Sequence, residues 1–134
     1  MAKLRRNEGH TWTARRLNPS SVASGLIWAF LLTLVLSAVM AALIFTTSIS
    51  ETTLSRFLEG GGLFSLFVGS AYAARRAGSL GWMHGGMVGA LYILMSSLLG
   101  ALFSPVQITL AMVGKRLALG AVLGAIGGTV GVNL

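Results

Sequence analysis

At 134 residues, with 54% hydrophobic residues, 10% charged residues and a mean hydropathy of +0.81, the chain has too little polar surface to cover a water-soluble globule. Its net charge of +7 comes from bases placed at the edges of apolar runs, a pattern that fits membrane topology and anionic lipid headgroups and argues against nucleic acid as a partner. With no cysteine, the chain has no disulfides, thiolate nucleophiles or sulfur-ligated metals.

A crossing of ~30 Å of hydrocarbon takes roughly 20 helical residues, so a chain of this length holds about four spans in one bundle. Residues 1–18 carry Lys3, Arg5, Arg6, Arg15 and Arg16 against the single acid Glu8, and read as a basic cytoplasmic tail near the membrane surface. Asn18-Pro19 then supplies a cap and a first helical residue that has no amide to leave unpaired. No charge occurs from Leu17 to Ser50, and the first span is placed at about 22–46. A cleaved secretory signal would have an apolar core of only about 7–15 residues, so this run reads as an uncleaved span.

The polar stretch 46–53 forms an outer loop, and Ser48 and Glu51 have the spacing of a capping box. The second span is placed at about 53–74, with Arg56, Glu59 and the triplet Gly60-Gly61-Gly62 in its first half. Arg75 and Arg76 close it in a short turn, and arginine-bearing short turns stay cytoplasmic. The third span is placed at about 83–103, with Trp82 and His84 at the interface, where an apolar body with a polar edge is favoured.

Ser104, Pro105 and Gln107 again combine a cap, a first-turn proline and a capping-box partner. A single span starting there would put Lys115 and Arg116 about ten residues in, or ~15 Å of rise, at a cost on the order of 2.5–3.5 kcal/mol per charge near the membrane centre. The expectation is therefore a short interfacial helix over 105–113, a bend near Gly114, and a last span at about 117–132. This gives an all-α integral membrane four-helix bundle over 19–134 with both termini inside. Seven bases then lie on the inner side against three outside, Arg56, Lys115 and Arg116.

The most specific local pattern is glycine. Gly120, Gly124 and Gly128 recur at every fourth residue, Gly127 and Gly131 make a second set, and Gly85 and Gly89 repeat the spacing in the third span. Glycine costs about 1 kcal/mol relative to alanine inside a helix, so this density implies close approach of another helix. Arg15, Arg16, Arg75, Arg76 and Trp82 are read as topology and headgroup-contact residues. Arg56, Glu59 and Lys115 are read as an outer ion pair, or alternatively as an ion site. His10 and His84 lack acidic or histidine neighbours at metal-ligand spacing, and no serine stands in a nucleophile pattern. Neither a catalytic residue nor a cofactor or metal site is expected.

Three pieces stand out together: Ala74-Arg75-Arg76-Ala77-Gly78 followed by Gly81-Trp82-Met83-His84-Gly85, the Glu-Gly-Gly-rich second helix, and the terminus Gly127-Gly128-Thr129-Val130-Gly131-Val132-Asn133. In these the chain resembles the YrzE-like family of small uncharacterised four-span bacterial membrane proteins, known mainly from Firmicutes. The resemblance implies four helices in the plasma membrane, and no activity or site residue comes with it. The resulting expectation is a non-enzymatic accessory or scaffold subunit that packs through glycine faces with itself or with another membrane protein. The alternative is a small oligomeric transporter, channel or holin-like pore.

Overall fold

The computed structural model describes residues 17–48, 50–103 and 109–134. Four helices follow in order: α1 Pro19–Thr46, α2 Glu51–Ala77, α3 Gly81–Phe103 and α4 Leu110–Asn133, with no strand among the described residues. By length and apolar composition α1, α3 and α4 can each cross a bilayer, whereas α2, with its charges, serines and glycine triplet, does not reach that standard.

Helix α1 starts as its sequence suggests. Asn18 is extended and its Oδ1 accepts from the Ser20 amide at 3.2 Å, with Pro19 in the first turn. The start of α2 differs from the expected capping box. Its N-cap is Ser50, two residues beyond Ser48, and the Ser50 hydroxyl meets the Thr53 hydroxyl at 2.8 Å instead of capping a backbone amide. At its other end α2 continues past Ala74 to Ala77, carrying Arg75 and Arg76 into the last turn, where the helix dipole favours cations. Gly78 terminates it at φ 67°, a left-handed conformation that glycine adopts without steric cost, and its amide bonds to the Ala74 carbonyl. Leu80 also has a positive φ, 51°, so the turn into α3 is tightly constrained.

The last helix departs from the expected break. α4 runs without interruption from Leu110 through Gly114, Lys115 and Arg116 to Asn133. Residues 110–113 therefore belong to the same helix as the span, and the Ser104-Pro105 helix start lies outside the described residues. A single glycine weakens a helix by about 1 kcal/mol without breaking it. Because α4 begins at Leu110, the two cations lie within its first two turns, where long side chains can reach the interface.

Helices α1 and α2, α2 and α3, and α3 and α4 are antiparallel neighbours. Helices α2 and α3 each pack against all three others, whereas α1 and α4 make no contact among the described residues. The least apolar helix, α2, thus shares the middle of the bundle with α3. Packing is also uneven along the helices. The buried residues of α1 lie between Ser21 and Ala29, those of α2 between Ser65 and Ala74, those of α3 between Gly81 and Tyr92, and those of α4 between Gly120 and Gly131. All belong to the half of the bundle that holds the Arg75-Arg76 turn. The opposite half, from Phe30, Phe64, Ile93 and Leu119 outward, contains no buried residue among those described.

Candidate functional site

Small residues close the packed half. On α3, a Cβ at Gly81 would strike the Gly128 carbonyl, one at Gly85 the Gly124 carbonyl, and one at Gly89 the Gly120 carbonyl; the reverse contacts are as close at Gly124 and Gly128, whereas a Cβ at Gly120 would meet the Ile93 side chain first and lie 3.0 Å from the Gly89 carbonyl. A Cβ at Gly85 would also lie 2.7 Å from the Gly128 Cα, and one at Gly124 would lie 3.1 Å from the Gly89 Cα. Two rows of glycine are therefore pressed backbone to backbone in antiparallel register. The second glycine row of α4 meets α2, with Gly127 against the Phe67 carbonyl at 2.7 Å from the Cβ position and Gly131 against Ala71.

An equivalent contact joins α1 to α2. A Cβ at Gly69 would lie 2.6 Å from both the Ala29 Cβ and the Gly25 carbonyl, and one at Gly25 would strike the Ala73 Cβ. Gly25-x-x-x-Ala29 and Gly69-x-x-x-Ala73 have the same four-residue spacing, and the sequence reading overlooked them because only glycine was counted. Gly81 was overlooked as well, because it stands at the first residue of its helix.

Buried polar groups occupy this packed half. His84, at the start of α3, is fully buried inside the bundle, whereas its neighbour Trp82 is 58% exposed. The Asn18 amide donates to His84 Nε2 at 3.0 Å, and His84 Nδ1 lies 3.1 Å from the Leu80 carbonyl. An amide can only donate and a carbonyl can only accept, so the ring is neutral with its proton on Nδ1. One imidazole thereby ties the cap of α1 to the constrained turn before α3. Ser70 donates to the Gly85 carbonyl at 3.3 Å, linking α2 to α3, and Ser65 donates to Gly61 within α2 at 2.8 Å. At the upper edge of the packed half, Tyr92 shares a hydrogen bond of 2.8 Å with Thr33 and stacks on Phe30 at 5.0 Å. The Ser21 hydroxyl is buried with no partner among the described residues.

The charged candidates are elsewhere. Arg56, Glu59, Lys115 and Arg116 are all exposed in the open half, and no ion pair joins Arg56, Glu59 and Lys115 among the described residues. Glu59 stands in the helical row that continues through Leu66 and Ser70, both buried inside the bundle, Leu66 beside Ala29 and Tyr92 and Ser70 between α3 and α4. Arg75 and Arg76 are exposed at the end of α2, and Arg15 and Arg16 lie outside the described residues. Among the described residues no three His, Asp or Glu side chains converge as metal ligands would.

The family described as "Protein of unknown function (DUF3792)" matches residues 18–131, which spans all four helices. No curated protein and no solved structure matches the chain.

Proposed function

The chain belongs to the DUF3792 family of proteins of unknown function, and from that premise we propose that it is a four-span, non-enzymatic subunit of a bacterial plasma membrane, with both termini inside. The finer YrzE-like likeness is part of this proposal. Such a subunit acts as a packing scaffold, either with copies of itself or with another membrane protein. The observation that carries the reading is α2, a polar helix held against three apolar ones, with backbone contacts at Gly69, Gly127 and Gly131. Its serines bond within the bundle, which removes most of the cost of placing them in hydrocarbon.

Length supports the fourth span. The rise from Arg56 to Arg75 along α2 is roughly 28 Å at 1.5 Å per residue, close to the ~30 Å of hydrocarbon. Arginines thus stand at both edges of the slab, and only Glu59 falls between them.

Ion flux distinguishes a scaffold from a pore. In liposomes the purified protein is expected to add no conductance, and Glu59→Gln is expected to leave its assembly unchanged, since exposed charge pairs contribute about 0–1 kcal/mol. A protein-dependent flux that Glu59→Gln abolishes, with the oligomer intact, replaces the scaffold reading with a pore whose ion site is Glu59.

A further inference from the structure

The scaffold reading leaves the charges of the open half unused, and the packing of α2 on α4 fixes where they stand. Gly127 lies against Phe67 and Gly131 against Ala71, so the two helices run parallel in a set register. Carried along straight helices at equal rise, that register brings Arg116 to the height of Arg56, with Lys115 beside it. The two arginines also stand on facing ridges. Arg56, Gly60, Phe67 and Ala71 share one side of α2 by helical spacing, and Arg116, Leu123, Gly127 and Gly131 share one side of α4.

At the glycines these ridges touch; at the arginines they are apart. Among the described residues no other helix comes within 4 Å of the place a Cβ would take at Gly60, and Arg56, Lys115 and Arg116 are all exposed. The acid of this region, Glu59, stands four residues before Leu63 on the same side of α2, so one carboxylate is set against three cations. The net positive charge left beside apolar surface favours a further anion among these groups.

Two further features say which anion. The arginines stand roughly 28 Å from the Arg75-Arg76 turn, at the far edge of the hydrocarbon slab, which is where lipid phosphates begin. Just inward of them the cleft walls are apolar and open, with Leu63 44%, Phe64 57% and Leu119 62% exposed. The guanidinium fork matches phosphate oxygens in two-pronged geometry, and lysine adds a point charge.

We propose that the cleft between the outer halves of α2 and α4 binds an anionic phospholipid from the leaflet opposite the Arg75-Arg76 turn. Arg56 and Arg116, with Lys115, hold its phosphate, and its acyl chains run inward over Leu63, Phe64 and Leu119. The site rests on the four-span placement, because that placement sets the height of the arginines.

The test uses the full chain in nanodiscs of phosphatidylcholine alone and of phosphatidylcholine with phosphatidylglycerol, read by retained lipid in native mass spectrometry and by thermal melting. Phosphatidylglycerol should be retained and should raise the melting temperature. The double variant Arg56→Gln/Arg116→Gln should bind it at least about tenfold more weakly, the scale of a lost charge-assisted contact, while helix content and melting in phosphatidylcholine stay as in the parent. Arg75→Gln/Arg76→Gln should keep the effect. Equal retention by the Arg56/Arg116 variant overturns the site. Inorganic phosphate giving the same shift in phosphatidylcholine alone makes it a free-anion site, and a change of oligomer size in that variant assigns the cleft to a second copy; either result overturns the lipid. Single cysteines at Ser79 and Ser50 in the same discs check the placement separately, since both reacting from one side would defeat the four-span reading whatever the lipid result.

Discussion

His84 occupies a position that hydropathy alone would assign to the water interface, and the packing places it where no water reaches. Nothing in the sequence next to it predicts this, because its partner is the amide of Asn18, 66 residues earlier. A neutral imidazole that accepts from one chain segment and donates to another cannot be replaced by a hydrocarbon ring of similar size. His84→Phe would fill the space and remove the acceptor of the Asn18 amide, and such a hydrogen bond contributes about 0.5–1.5 kcal/mol. The expected outcome is a melting temperature in detergent below the parent, with His84→Gln recovering part of the loss because its side-chain amide can also accept and donate. If the phenylalanine variant melts at or above the parent, the bond to Asn18 is not holding α1 in place.

Among the elements, the packing faces of α4 are the most legible in the sequence and those of α2 the least. Glycines at every fourth position leave few alternatives, since a helix carrying so many of them must be compensated by close contact. The two sets at Gly120-Gly124-Gly128 and Gly127-Gly131 face α3 and α2 respectively. The contacts of α2 are hidden in the sequence because its small residues are dispersed among serine, alanine and glycine, and only its partners reveal which ones matter. Gly124→Leu tests the α3 contact in a way that separates packing from propensity. Leucine is the better helix former and the more lipid-compatible residue, so propensity alone predicts stabilisation. Its Cβ would meet the Gly85 carbonyl, so packing predicts a loss of several degrees in melting temperature. Gly114→Ala, where the space is open, should instead be neutral or stabilise by about 0.5–1 kcal/mol. A leucine variant as stable as the parent removes the α3–α4 contact from the account.

At the scale of the whole molecule, helix number and order could be read from caps, prolines and charge edges, whereas the single helix across Gly114 could not. A span counted from Pro105 puts Lys115-Arg116 near its middle, whereas α4 begins at Leu110 and carries the two charges near its end. The same geometry puts Ser79 and Asn133 at one end of the bundle and Ser50 at the other. Single cysteines at Ser79 and Asn133 should therefore react with membrane-impermeant reagent from the same side, and one at Ser50 only from the opposite side. Labelling of Ser79 from outside intact cells reverses the orientation, and labelling of Ser50 together with Ser79 from one side removes α2 as a span.

The restriction of burial to one half of each helix has its own consequence. In the half around the Arg75-Arg76 turn, neighbouring backbones fill the space between helices, so the chain carries that geometry with it into any bilayer. In the other half no described residue is buried, and the helices meet there through partly exposed side chains such as Leu36 beside Gly61. On the proposed four-span placement that half takes part of its shape from the surrounding leaflet: a change in the thickness or lipid species of that leaflet is expected to alter the protein there, whereas the same change in the opposite leaflet meets helices already held by their backbones.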